Sequence, residues 1–378
     1  MEGNRHRRVA ETTCRQFFAL LRSGLWNEVP DSAFFAGSVD WEALYRLASE
    51  QTVVPMVADG INLLPKRFLP KEPERMDPFL GDMVLTAQRN AKLDGFIPKL
   101  FRSMEGIPAV LVKGQSLAVD YPEPARRQPG DIDLLVLPSS YEAAKAALLP
   151  KATKVLDEER EILHQGMYFK SVEVEVHGSI STLMSRKLDR KLAALLAEQF
   201  DGRELPTVEI AGTPVPVPEA GFNAVYIFVH FLQHYWSGGV GLRQLVDWTV
   251  FTSVHKRDIH PVLLETTLRN LGLLHLWQAF TGFAQEYLGC PAEKLPLAKA
   301  PDADRNAGIW MHLERSGNFG KRTDRTRGKE SWLMRKVHSF WQKVVCDRLR
   351  HFRVFPRESL RFFLGAFGYG LQRLAKGE

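Results

Sequence analysis

Two aspartates separated by a single residue, Asp131 and Asp133, open an apolar run that ends at Val136. In an extended strand the side chains of residues i and i+2 point to the same side. The two carboxylates therefore project together, while Ile132, Leu134 and Val136 bury the other face. Two carboxylates crowded beside an apolar run favour a cation between them, and Mg²⁺ prefers such hard oxygen ligands. The spacing predicts a divalent-metal site.

A lysine–glycine turn upstream supplies groups that suit a phosphate. A predicted buried strand over residues 107–112 is followed by Lys113 and Gly114, and a short helix is expected to start near Gln115. Gly114 allows the backbone to approach a ligand, and the free N–H groups at a helix start form an anion site. Lys113 adds a cation and Ser116 a hydroxyl. A phosphate cradle followed by an Asp-x-Asp strand is the layout of a metal-dependent nucleotide transferase.

The stretch LVKGQSLAVDYPEPARRQPGDIDLLV (111–136) resembles the signature of the nucleotidyltransferase superfamily that includes DNA polymerase β. It is most similar to a bacterial branch of largely uncharacterised nucleotidyltransferases, which carries Lys-Gly, Tyr-Pro, Arg and Gly-Asp-Ile-Asp-Leu-Leu in this order. That branch later has an acidic residue two positions before a His, which appears here as Glu175-Val176-His177. The similarity is spread over roughly residues 40 to 275. The turn departs from the usual Gly-Ser or Gly-Gly, because Ser116 comes one place late and the connection to the acidic pair is longer.

The resemblance implies an α+β fold, a polymerase β-like nucleotidyltransferase core with a small mixed sheet flanked by N-terminal and C-terminal helical regions. It also implies a third carboxylate beside the aspartates, which two-metal phosphoryl transfer needs. Residues 167–169 and 172–177 are predicted to pair as a hairpin. Glu175 is then directed towards the acidic pair, with Glu173 as the fallback and His177 beside the nucleotide. The alternative is an exposed edge strand with solvated glutamates.

Two arginines are candidate phosphate ligands. Arg127 lies four residues before the acidic pair, in a loop that must reach the site, and a guanidinium binds phosphate bidentately. The alternative for Arg127 is anchoring of the loop to a backbone carbonyl. Arg243 and Asp247, one helical turn apart, match an Arg…Asp pattern in the resembling family. They are predicted to form an ion pair that either faces the cleft or is purely structural.

The pattern of the chain divides it into four regions. Residues 1–104 are predicted to form a helical N-terminal region, 105–215 the catalytic core, 216–320 a helical domain that closes the cleft, and 321–378 a basic, aromatic extension. The first region is expected to contain a loop over residues 64–78 and a helix over residues 85–104, because prolines are concentrated in the former. His230 and His234 share one helix face. They are expected to line the cleft or to bond within the core, since the zinc-protease signature is missing.

The C-terminal extension combines basic residues with aromatic ones. Residues 321–330 are predicted to form a linker, and apolar residues recur at helical spacing after Pro356. These residues are Leu360, Phe363, Leu364, Phe367, Leu371 and Leu374. Three interpretations stay open: a helix docked on the body, a helix on a membrane surface, and an arm that contacts RNA.

Length, net charge and cysteine content indicate the size class of the protein, its partners and its compartment. The 378 residues exceed what one core usually organises, and a net charge of +6 favours anionic partners. The three cysteines are far apart in the chain and show no metal spacing, which is typical of a reducing cytoplasm. We expect no signal peptide and no transmembrane segment, because no apolar run reaches the ~20 residues that a membrane span requires.

The combined hypothesis is an enzyme that moves an NMP from an NTP such as ATP to a hydroxyl acceptor and releases pyrophosphate, with Mg²⁺ or Mn²⁺ as cofactor. Asp131, Asp133 and Glu175 would hold the metal. The acceptor stays open between a small molecule, a protein side chain and an RNA end. A non-catalytic protein that binds nucleotide or RNA on the same fold is the alternative, and a membrane-peripheral assembly factor is a third possibility.

Overall fold

The computed structural model describes residues 9–182, 184–202, 204–237, 239–317, 352–362 and 364. Its α-helices are α1 (Glu11–Trp26), α2 (Trp41–Glu50), α3 (Val54–Asn62), α4 (Asp77–Ser103), α5 (Gly114–Ala118), α6 (Tyr141–Leu148), α7 (Arg186–Gln199), α8 (Ala220–Ser237), α9 (Leu242–Val254), α10 (Pro261–Leu271), α11 (Leu274–Leu288) and α12 (Ala303–Ser316). Its strands are β1 (Ala109–Val112), β2 (Ile132–Val136), β3 (Lys154–Val155), β4 (His164–Phe169), β5 (Val172–His177), β6 (Thr207–Ile210) and β7 (Thr213–Pro216).

Five of the strands form one mixed sheet in the order β1-β2-β5-β4-β3. Only the central pair, β2 and β5, is parallel, and the other neighbours are antiparallel. The predicted hairpin is confirmed, because β4 pairs with β5 around a tight turn. With its helices flanking a small mixed sheet, the chain has the predicted α+β organisation.

The alternation of side chains along β2 and β5 separates an apolar face from a polar one. Ile132, Leu134 and Val136 of β2 and three valines of β5 join a core with α4 and α6. The opposite face carries Asp133 and Glu175. Because β1 and β2 are buried over their full length, they read as nearly continuous apolar runs in the sequence.

The N-terminal helices share their core with the helices that follow the sheet. The buried side chains of α1, α2 and α3 belong to the same hydrophobic cluster as those of α8, α9 and α11. Helices α1 and α3 approach closely because Gly24 and Gly60 lie at their crossing. A Cβ atom on Gly60 would overlap the carbonyl oxygen of Leu20. The predicted division of the chain into four regions stays a prediction.

Several elements differ from their predicted extents. The helix predicted over residues 85–104 begins eight residues earlier, at Asp77, with Pro78 in its first turn. Proline is tolerated there because the first N–H groups of a helix have no intrahelical partner. The last proline of the predicted loop, Pro78, therefore lies in the first turn of α4. Helix α7 and the β6–β7 hairpin were not predicted.

The described part of the C-terminal extension packs on the body through its aromatic residues. Residues 356–362 are helical, and Phe355 and Phe362 are buried against Trp236. Leu360 and Leu364 are 51% and 60% exposed. Phe355 and Phe362, seven residues apart, face the body, and Leu360 and Leu364 therefore point to solvent.

The remainder of that extension, including the predicted linker over residues 321–330 and the predicted helix after residue 364, lies outside the described residues. Arg361 donates from its guanidinium to the carbonyl oxygens of Leu271 and Gly272 at the end of α10, over 3.1 and 3.2 Å. These two hydrogen bonds fix the described helical segment to the body. In the described parts of the chain, no helix combines the length and apolarity needed to cross a bilayer.

Candidate active site

Three carboxylates converge on the polar face of the sheet. The parallel register of β2 and β5 places Asp133 directly beside Glu175, and Asp131 lies one residue before β2. One ligand oxygen from each of the three residues lies within 4.8 Å of the others. Glu173, two residues before Glu175 on the same strand, has its side chain hydrogen-bonded to Tyr168 and is not one of this group. Of the two predicted candidates for the third carboxylate, Glu175 is the one that the fold brings to the aspartates.

The lysine–glycine turn holds the backbone of β1 against the acidic loop. Both turn residues have positive φ, +56° for Lys113 and +44° for Gly114. A Cβ atom on Gly114 would lie only 3.2 Å from the carbonyl oxygen of Asp131. A non-glycine residue in this region of φ is uncommon and often belongs to a functional site. Ser116 closes the turn, since its hydroxyl donates to the Lys113 carbonyl over 2.7 Å.

The side chain of Lys113 supplies a positive charge to the carboxylates. Its Nζ lies 2.5 Å from Oδ1 of Asp133, and the Asp133 side chain is only 2% exposed. Burial by itself would lower the pKa of Lys113, but the charges of Asp133 and its acidic neighbours raise it above its ordinary value. This lysine is therefore a fixed cation at the site.

One lysine does not offset the charge of three acids. The negative charge of Asp133, together with burial, raises the pKa of Asp131 from 3.8 to about 6. Burial pushes the pKa of Glu175 upward, but the proximity of His164, His177 and Lys113 lowers it below its ordinary range. The group therefore contains one carboxyl that ionises reluctantly and one that stays ionised.

Two stacked histidines complete the polar face. His177 Nε2 lies 2.8 Å from Oδ1 of Asp133 and 3.3 Å from Oε2 of Glu175. His164 Nε2 lies 3.2 Å from the same Glu175 oxygen, whose proximity raises the pKa of His164. The two rings are stacked with their centroids 4.8 Å apart. His164 was missed by sequence reasoning, although extending the predicted hairpin by three residues places it opposite His177.

Arg127 forms an ion pair in the interior. It is 4% exposed, and its Nε and Nη2 donate to the two carboxylate oxygens of Asp247 over 2.7 and 2.8 Å. Tyr121 also donates to Asp247, over 2.6 Å. This ion pair connects the acidic loop to α9, and the predicted role of Arg127 as a phosphate ligand stays a prediction. Arg127 does anchor its loop, as the alternative interpretation expects, but through the carboxylate of Asp247 and not through a backbone carbonyl.

Arg243 fixes the same loop from another point on α9. Its Nη1 donates to the carbonyl oxygen of Gln128 over 2.8 Å. The predicted ion pair between Arg243 and Asp247 is therefore replaced by the pair between Arg127 and Asp247. From α4, Asn90 donates to the carbonyl oxygen of Arg127 over 2.9 Å. Hydrogen bonds from α4 and α9 thus fix the position of the loop that carries Asp131.

A cavity of about 250 Å³ adjoins the carboxylates. Lys113, Glu175 and the stacked histidines form one wall, and α8 contributes Tyr226, His230, Gln233 and His234 to the other. Burial lowers the pKa of His230 well below its ordinary value and that of His234 to about 4. These two rings are therefore neutral at physiological pH, and they line the cavity as one of the sequence-based alternatives predicted.

Comparison with known proteins supports the resemblance seen in the sequence. A family model described as an uncharacterised nucleotidyltransferase matches residues 37–289, which is about two thirds of the 378 residues. No curated protein and no solved structure matches the chain. The matched segment contains the whole mixed sheet, the three carboxylates and helices α8 and α9. This chain belongs to that nucleotidyltransferase family.

Proposed function

We propose that this protein is a divalent-metal-dependent enzyme that moves an NMP from an NTP to a hydroxyl acceptor and releases pyrophosphate. One observation carries the proposal, namely the convergence of Asp131, Asp133 and Glu175 within 4.8 Å. Three buried or half-buried carboxylates in mutual contact are costly unless a cation joins them. Membership of a nucleotidyltransferase family supports the same conclusion.

The residues present suit a divalent ion. All three donors of the group offer carboxylate oxygens, the ligands that Mg²⁺ and Mn²⁺ prefer. The raised pKa of Asp131 shows that the lysine leaves part of the negative charge without compensation. Bound ions would supply neutralisation of the triphosphate and a lower pKa for the acceptor hydroxyl.

The residues of the chain itself supply the positioning. Lys113 adds a cation beside the carboxylates that is suited to phosphate oxygens. The lowered pKa of Glu175 favours a role as a ligand that stays ionised over a role as proton acceptor. Arg127 and Arg243 position the acidic loop. The adjoining cavity, with its neutral histidines on α8, offers hydrogen-bonding groups without charge to the nucleotide or the acceptor.

Transfer is tested by incubating the protein with each α-labelled NTP, Mg²⁺ or Mn²⁺, and separated small-molecule, RNA and protein fractions of a lysate. We expect label in one fraction together with pyrophosphate release. Asp133→Asn should abolish both, while Asp157→Asn, at an exposed position, should keep them. If label from the wild type and from Asp133→Asn is equal in every fraction, the proposed reaction is refuted. Nucleotide binding without transfer would then favour the non-catalytic alternative.

A further inference from the structure

A second group of potential ligands overlaps the carboxylates. Ring nitrogens of His164 and His177 and an oxygen of Glu175 all lie within 4.8 Å of one another. Glu175 is common to this group and to the acidic one. The two imidazoles lie on adjacent positions of β4 and β5, and both direct Nε2 to the same oxygen, Oε2 of Glu175. The sheet therefore presents nitrogen ligands directly beside oxygen ligands.

His164 has the environment of a metal-binding histidine. Its Nδ1 lies 3.1 Å from Oε1 of Glu159, so that carboxylate supports the ring from behind while Nε2 faces the site. The buried Nε2 faces Oε2 of Glu175 at 3.2 Å. A carboxylate behind the ring is the arrangement that fixes the tautomer and orientation of metal-bound histidines.

His177 contacts the acidic group through the nitrogen that would bind the ion. Its Nε2 contacts Asp133 and Glu175, and its ring stacks on that of His164 at an interplanar angle of 20°. The side chains of His164 and His177 are 20% and 18% exposed. Both rings line the cavity, so an ion could enter from that side.

We propose that His164, His177 and Glu175 form a mixed nitrogen and oxygen metal site, so that this enzyme takes a first-row transition metal, for which Mn²⁺ is the paramagnetic probe, at a position where Mg²⁺ binds poorly. Imidazole nitrogens suit transition metals, whereas Mg²⁺ prefers oxygen donors only. Glu175 would join this site to the acidic one. The assignment rests on the proposed function, since it concerns the metal of the same site.

The test measures metal binding without nucleotide. Pulsed electron paramagnetic resonance of bound Mn²⁺ should show modulation by directly bound ¹⁴N in the wild type. His164→Gln should weaken this modulation and lower the affinity for Mn²⁺ by at least about tenfold. The affinity of the His164→Gln variant for Mg²⁺, measured by calorimetric titration, should stay within about twofold, because the acidic group keeps all three of its carboxylates. His230→Gln, in the same cavity but outside the group, should keep the ¹⁴N modulation.

Glu159→Gln provides a second variant that leaves the ligands in place. Glu159 is an exposed residue, so the variant should fold, and weaker support of the His164 ring should lower the affinity for Mn²⁺ by about tenfold. Absence of ¹⁴N modulation in the wild type, or equal loss of Mg²⁺ and Mn²⁺ affinity in His164→Gln, would overturn the assignment. A protein with ¹⁴N-ligated Mn²⁺ but no label transfer keeps this site and refutes only the proposed reaction.

Discussion

The crowding of the carboxylates predicts that Asp131 destabilises the metal-free protein at neutral pH. Asp133 and burial raise the pKa of Asp131 from 3.8 to about 6, so the folded state binds its proton more tightly than the unfolded chain does. The stability that Asp131 contributes is fully present below pH 3.8 and is lost as the pH rises through 6. Asp131→Asn, which cannot ionise, should escape this loss.

The magnitude follows from the change in pKa. A difference of about two pKa units corresponds to about 3 kcal/mol at pH 7 and above. About one third of this loss has already developed at pH 4.5, so the gap between variant and wild type should widen by about 2 kcal/mol between pH 4.5 and 7.5. Unfolding entropy for a chain of 378 residues is about 0.8 kcal/mol/K. The corresponding change in the Tm difference is therefore about 2 to 3 °C.

Thermal melts with a chelator at pH 4.5 and 7.5 measure this gap. Asp157→Asn, at an exposed position, is the matched control and should follow the wild type at both pH values. Saturating Mg²⁺ or Mn²⁺ at pH 7.5 should then close most of the gap, because a ligand at 100 times its Kd stabilises the wild type by about 2.7 kcal/mol and Asp131→Asn lacks one ligand.

Two results would refute this reasoning. The first is a Tm difference between Asp131→Asn and wild type that does not change between pH 4.5 and 7.5 in chelator. The second is a metal-induced rise in Tm that is equal in the two proteins. The former would mean that the carboxylates do not repel one another in the fold, and the latter that Asp131 is not a ligand.

Three further predictions concern other parts of the structure. Glu175→Gln should lower nucleotidyl transfer by at least about 100-fold, whereas Glu173→Gln should keep most of it; equal losses in the labelled-NTP assay would contradict the geometry. Arg127→Met should lower the free energy of unfolding by about 3 to 5 kcal/mol because it leaves Asp247 buried and unpaired, and the double variant Arg127→Met/Asp247→Leu should recover most of it in urea denaturation. Gly60→Ala should destabilise the protein by about 1 to 3 kcal/mol, because its Cβ would overlap α1; an unchanged Tm would show that the two helices can separate without cost.

Local patterns in the sequence are sufficient to predict much of the polar face of the sheet. The alternation of Asp131 to Val136 predicts which side chains share a side, since the period of a strand is two, and the structure has this alternation. The same rule places Glu175 and His177 on one face of β5. The resemblance carried by the Lys-Gly turn and the Gly-Asp-Ile-Asp run then predicts that Glu175 is directed towards the acidic pair, and β5 lies beside β2 in the sheet.

The sequence by itself did not determine the partners of groups that meet across long separations. Arg127 and Asp247 lie 120 residues apart, and only the packing of α9 on the acidic loop selects this pair over Arg243, which is nearer to Asp247 in the chain. The register of β4 on β5 likewise places His164 opposite His177 and beside Glu175. Residue type and spacing therefore determined which faces carry charge, whereas tertiary packing decided which charges neutralise each other, because pairing energy depends on distance and burial and neither is encoded locally.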